Sequence, residues 1–158
     1  MAQECSFPKN KIKIVLLENI HQDAVDALSN EGYNVEVIPK SLAPEELKEV
    51  IQDAHVLGIR SKTKVNAEHF ANAPKLLALG CFGVGTNQVD LDAARSIGVP
   101  VFNAPHGNTR SVAELTLGNV IMLARKACDR SMRIHQGQWK KSAKGSYEVR
   151  GKTLGLVG

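Results

Sequence analysis

Apolar and polar positions along this chain switch repeatedly between the period of a strand and the period of a helix. From Ile12 to Leu17 the residues are nearly all apolar and rich in β-branching, the pattern of a strand buried on both faces of a parallel sheet. Ala24, Val25 and Leu28 recur at helical spacing, Gly32 supplies a stop, and Asn34 to Ile38 returns to strand chemistry before Pro39. Pro44, Glu45 and Glu46 give a second helix a rigid first turn and two carboxylates suited to its N-terminus, and Leu47, Val50 and Ile51 form its apolar stripe. His55 to Ile59 predicts a third strand, followed by the polar turn Arg60-Ser61-Lys62-Thr63. Asn66 is placed to cap a short helix through Ala73, and Leu76 to Leu79 predicts a fourth strand ending at Gly80.

Beyond the glycine-rich stretch Gly80 to Gln88, Asp90 caps and Gly98 stops another helix, and Val101 to Asn103 predicts a fifth strand. A polar loop, Ala104 to Thr109, comes next. Ser111-x-x-Glu114 then matches a capping box, and Val112, Leu115, Val120, Ile121, Leu123 and Ala124 carry a long helix towards a basic segment. Gly137 to Gly151 keeps no steady period, and Lys152 to Val157 reads as one more strand. Strands alternating with helices of this length imply an α/β fold: a doubly wound, flavodoxin-like parallel sheet with right-handed crossovers.

With 158 residues, 43% of them hydrophobic and 23% charged, the chain is long enough for one good core. No stretch is apolar enough to span a membrane, and the first ten residues lack the apolar core of a secretory signal, so a cytoplasmic location is expected. Cys5, Cys81 and Cys128 are odd in number and far apart, which predicts free thiols. The net charge of +4 is unevenly placed. Residues 125 to 152 hold nine basic side chains against two acids, and the remainder is acidic on balance. That basic stretch is read as a solvated face, or as a surface facing an acidic partner. Nucleic-acid binding is disfavoured, because Trp139 and Tyr147 are its only aromatics and no nucleic-acid motif is present.

Ligands of an open parallel sheet gather beyond the carboxyl ends of its strands, so three loops qualify for chemistry. After strand three, Arg60 presents a planar fork suited to a carboxylate or phosphate, with Ser61 as a further donor; a surface pairing with an acid is the alternative. After strand four, Gly83 and Gly85 allow close backbone approach to an anion, or simply make a turn. After strand five, Asn108 stands where it either caps the long helix or reaches a ligand. Gly83-Val84-Gly85 is followed by Gln88 where the third glycine of a dinucleotide fingerprint would be, so this loop is not read as a cofactor cradle. The five histidines show no metal-ligand spacing, and no metal is expected.

Two segments, Gly80-Cys-Phe-Gly-Val-Gly-Thr-Asn-Gln-Val-Asp-Leu-Asp-Ala-Ala94 and Val101-Phe-Asn-Ala-Pro-His-Gly-Asn-Thr-Arg-Ser-Val-Ala-Glu-Leu115, resemble the D-isomer-specific 2-hydroxyacid dehydrogenases. The likeness extends to Gly58-Ile-Arg-Ser-Lys-Thr63 and Arg150-Gly-Lys-Thr-Leu-Gly-Leu-Val-Gly158, and is greatest to the bacterial branch acting on 3-phosphoglycerate. The resemblance implies a substrate domain over 1–108, a crossing helix and basic arm over 109–151 devoted to interdomain or subunit contacts, and the first strand of a truncated Rossmann domain over 152–158. It implies that Arg60, Ser61, Cys81, Gly83, Val84, Gly85 and Asn108 line the substrate site, that Gly158 begins the NAD site, and that the catalytic residues belong to sequence not in this chain. NAD, a small anionic 2-hydroxy acid and a homo-oligomeric state are the implied partners, and the chain alone is expected to be inactive. The rival readings are a dehydrogenase for another 2-hydroxy acid, such as glycerate or lactate, or a 2-oxoglutarate reductase, and a receiver-like signalling domain. The second is weakened because Glu18 stands without the acidic cluster a receiver needs after its first strand, and Arg60 occupies the place of the acceptor aspartate.

Overall fold

A computed structural model describes residues 7–157, which fall into two compact units meeting in sequence at Gly107 and Asn108. The first unit is built on five strands: β1 (Lys13–Leu17), β2 (Asn34–Ile38), β3 (Val56–Ile59), β4 (Ala78–Cys81) and β5 (Val101–Asn103). All neighbours pair in parallel, in the order β2-β1-β3-β4-β5, which is the doubly wound arrangement expected. Between them lie α1 (Gln22–Asn30), α2 (Pro44–Ile51), α3 (Ala67–Ala71) and α4 (Leu91–Ser96).

Alternation along β1 shows how the strand serves two cores. Val15 and Leu17 enter the main cluster with Leu47 and Ile51 of α2, Leu57 and Ile59 of β3, Phe70 of α3, Leu79 of β4 and Ala94 of α4. Ile14 and Leu16 point the other way, into a smaller cluster with Ile20 and with Ala24, Val25 and Leu28 of α1. The caps read from sequence form: the Asn66 side chain accepts the His69 N–H and that of Asp90 accepts the Ala93 N–H. His69 is buried, its Nδ1 accepting the Asn66 N–H and its Nε2 bonded to the Pro44 carbonyl, so it is a structural tie between α3 and α2.

The second unit holds α5 (Thr109–Arg125) and α6 (Ala127–His135), with an irregular arm after them. Lys126, at φ 53°, stops α5 in the left-handed conformation and starts α6. The arm is tied back by the Tyr147 N–H on the Ala124 carbonyl at 2.8 Å and by Arg130 Nη2 on Ser146 Oγ at 2.7 Å. Two expectations are corrected here. Ser111 does not cap the long helix, because α5 begins two residues earlier and Glu114 is drawn to Arg110 Nε at 2.7 Å, one turn back. Lys152–Val157 is not a strand among the described residues, where it pairs with no other segment. Gly158 and Cys5 lie outside the described residues; Cys81 and Cys128 are free thiols. No helix among the described residues is long and apolar enough to cross a membrane.

Candidate functional site

The loops after β3, β4 and β5 converge at the carboxyl edge of the sheet, and hydrogen bonds join them. The Phe82 N–H donates to the Ile59 carbonyl at 2.8 Å, which extends the β3–β4 pairing into the loops. Ala104 N–H donates to the Gly83 carbonyl at 2.9 Å, and Asn103 Nδ2 donates to the Val84 carbonyl at 2.7 Å, so the loop after β5 holds the glycine loop from its other side. Gly58 and Gly80 face each other in register, and the Phe82 ring lies over both. A Cβ at Gly58 would meet Leu16 Cδ2 at 2.6 Å and Phe82 Cε2 at 3.0 Å, so the absence of a side chain there lets the ring lie down on the sheet.

Two buried polar side chains, neither foreseen from the sequence, organise the turn after β3. Glu18, at the carboxyl end of β1, is buried and left-handed at φ 62°. Its Oε1 accepts the N–H groups of Thr63 at 2.8 Å and Arg60 at 3.3 Å, and its Oε2 accepts that of Lys62 at 2.9 Å. The Glu18 carbonyl in turn accepts Arg60 Nη1 at 3.2 Å. An unusual backbone conformation is tolerated because both the carboxylate and the carbonyl are engaged. Burial would raise the Glu18 carboxyl, but hydrogen bonding from Thr63, Lys62 and Arg60 together outweighs it and holds the group below the usual glutamate range. Gln88 is the second: its Nε2 donates to the Arg60 carbonyl at 2.6 Å and to the Gly85 carbonyl at 3.3 Å. The signal for Glu18 was an acid directly after a buried strand, on the sheet edge that also carries Arg60. For Gln88 no local pattern existed.

A carboxylate with a lowered folded-state value stabilises the fold above the ordinary glutamate range, and that stability is lost as pH falls through the folded-state value. The thermal midpoint of the chain is therefore expected to fall on acidification in a part of the curve that Glu18→Gln flattens. Other shifted carboxylates, such as Glu46 and Glu68, are solvent-exposed partners of lysines and contribute equally to both proteins. Parallel curves for the two proteins would show that Glu18 is not the group responsible.

The expected ligand residues divide clearly. Arg60 and Ser61 are exposed at the turn, and no carboxylate among the described residues pairs with the Arg60 guanidinium, which spends one donor on the Glu18 carbonyl. Val84 and Gly85 keep their N–H groups free of acceptors among the described residues. Gly83 does not: its N–H is taken by the Cys81 carbonyl at 2.8 Å, so of these three loop N–H groups two stay open among the described residues. Cys81 is also corrected, since strand alternation sends its thiol into the main core, where burial pushes its titration up and leaves nothing to offer a ligand. Asn108 is the N-cap of α5 and the first residue of the second unit, and its side chain makes no capping bond. His106 sits exposed in the loop after β5. A separate apolar groove of about 680 Å³ between α5 and α6, lined by Met122, Cys128, Met132 and His135 among others, has no lysine, arginine, aspartate or glutamate in its lining.

Comparison with known proteins identifies the family. The profile of the D-isomer specific 2-hydroxyacid dehydrogenase catalytic domain matches residues 14–153. A D-3-phosphoglycerate dehydrogenase of Haemophilus influenzae is 53% identical over 159 residues, a match that covers the whole of this chain and 39% of the relative. A Thermus thermophilus protein of known structure superposes with a TM-score of 0.75 at 29% identity, over 83% of this chain and 42% of that one. An NAD-bound 3-phosphoglycerate dehydrogenase of Entamoeba histolytica superposes at 0.64 with 30% identity, over 73% of this chain and 40% of that one. The chain thus spans about two fifths of the length of these relatives.

Proposed function

Because the chain belongs to the D-isomer-specific 2-hydroxyacid dehydrogenase family, we propose that it is the substrate-gripping part of an NAD-dependent D-3-phosphoglycerate dehydrogenase. That activity oxidises 3-phospho-D-glycerate to 3-phosphooxypyruvate on the way to L-serine. The observation that carries this reading is the arginine turn and the glycine loop held together by one buried carboxamide, with, among the described residues, a guanidinium lacking a carboxylate partner on one side and two free N–H groups on the other. Arg60 and Ser61 take the phosphate, for which a fork of donors is suited, and the Val84 and Gly85 N–H groups take the carboxylate.

The glycine loop does not carry the dinucleotide fingerprint. Position 88 is a glutamine whose carboxamide is committed to carbonyls of the loop, and Gly158 is outside the described residues. NAD is the cofactor of this reading, held by other parts of the enzyme. The share of residues 60–85 is to bind the two anionic ends and so fix where C2 stands. The same reading makes the second unit a contact surface of a homo-oligomer: none of its described residues is buried, and Leu115, Leu117, Leu123 and Trp139 are each more than half exposed. It also places the enzyme in the cytoplasm.

The test is an NMR titration of the 15N-labelled chain. Added 3-phosphoglycerate is expected to move the amide signals of Arg60, Ser61, Val84 and Gly85, and D-lactate, which has the carboxylate but no phosphate, to move them only at much higher concentration. Equal response to both compounds would shift the assignment to another member of the family; silence at these amides would remove the site altogether.

A further inference from the structure

Arg60 is held by its backbone from both directions, and neither holder touches the ligand position assigned above. Glu18 collects its N–H together with those of Lys62 and Thr63, and Gln88 grips its carbonyl at 2.6 Å while reaching the Gly85 carbonyl. Both side chains are nearly buried, at 7% and 9% exposure, so they are shielded from water competition and fixed in one arrangement. Gln88 is itself fixed, because its carbonyl accepts the Val65 N–H at 2.9 Å and Val65 pairs with Val89. Lysine or arginine side chains are otherwise free to sweep a wide surface, and an exposed arginine binds an anion well only when the ordering of its backbone has been settled in advance.

We propose that Glu18 and Gln88 are positioning residues for the anion site: the carboxylate sets the direction of the Arg60 turn, and the carboxamide sets its distance from the glycine loop. The proposal rests on the reading that Arg60 holds the substrate. Glu18 is suited to its part because only a carboxylate offers acceptors alone to three converging N–H groups; the amide of Glu18→Gln would turn a donor towards at least one of them. Gln88 is suited to its part because only a donor satisfies two carbonyls, so Gln88→Leu keeps the volume and loses the tie.

The experiment measures the Kd for 3-phosphoglycerate by NMR titration of the whole chain, below the melting temperature of each variant, for Glu18→Gln, Gln88→Leu, Arg60→Ala and the doubles Glu18→Gln/Arg60→Ala and Gln88→Leu/Arg60→Ala. Each single positioning variant is expected to raise Kd about tenfold while amide signals of β1 to β5 away from the turn stay in place. The Lys62 and Thr63 amide protons are expected to move upfield in Glu18→Gln, as they lose charge-assisted bonds. In the Arg60→Ala background neither change is expected to weaken binding further, since a residue acting through Arg60 has nothing left to position. Unchanged Kd in both single variants, or effects that add in full to that of Arg60→Ala, would overturn the proposal while leaving the site intact. Should Glu18→Gln fail to fold, Gln88→Leu and its double decide the matter alone. Failure of the unaltered chain to bind would instead defeat the site reading, and this proposal along with it.

Discussion

Replacing Arg60 with alanine is expected to raise the Kd for 3-phosphoglycerate by about tenfold to a hundredfold, the range that corresponds to losing hydrogen bonds to a charged group of about 1.5–3 kcal/mol. The size of the effect follows from the environment of the guanidinium. No carboxylate among the described residues pairs with it, and one of its five donors is spent on the Glu18 carbonyl, which leaves the others available on an exposed side chain. A phosphate meeting that fork replaces water rather than a competing anion. Arg95→Ala serves as the control, because Arg95 is a highly exposed side chain of α4 whose contact with Asp92 is 3.9 Å long. Its Kd is expected to match that of the unaltered chain. Equal Kd values for Arg60→Ala and Arg95→Ala would mean that long-range charge, and not a built site, attracts the ligand.

Leu57→Ala is expected to cost the first unit about 2–5 kcal/mol, enough to lower its thermal midpoint by roughly 10 °C or more. Leu57 lies on β3, the middle strand of the five, and is wholly inaccessible within the main cluster. Helices α2, α3 and α4 all contribute to that cluster, so a cavity at Leu57 cannot be closed by moving one neighbour. The comparison is Leu77→Ala, a leucine immediately before β4 and 59% exposed, for which a change within about 0.5 kcal/mol is expected. Chemical denaturation followed by far-UV circular dichroism measures both. A similar loss in the two variants would contradict the burial that places β3 at the centre.

Much of the framework could be read directly. β2 occupies the residues its β-branched run and Pro39 delimited, α2 starts at the proline and acidic turn that mark it, and the side chains of Asn66 and Asp90 make their caps. These features depend on residues within one turn or one strand of each other. The Ser111 capping box failed for a local reason as well: Glu114 had a second partner one residue further back on the helix, Arg110, and the helix began ahead of the motif.

The site was legible only in part. That loops after β3, β4 and β5 share an edge follows from parallel topology, so Arg60, Ser61 and Gly85 were within reach of sequence reasoning, while Val84 came only from the family resemblance. Which of their groups are free was not. The Gly83 N–H is consumed by a carbonyl two residues away, the Cys81 thiol is turned into the core by the pleat, and Glu18 and Gln88 act across 42 and 28 residues of sequence.

The order of strands and helices, their caps and the edge where an anion would settle were determined by the sequence itself, because apolar period, helix-end chemistry and parallel crossovers are short-range or topological constraints. The tertiary structure alone decided which donors remain open and which buried side chains hold the arginine turn. Those outcomes depend on hydrogen-bond partners brought together only when β1, β3 and the glycine loop are packed, and no spacing along the chain encodes them.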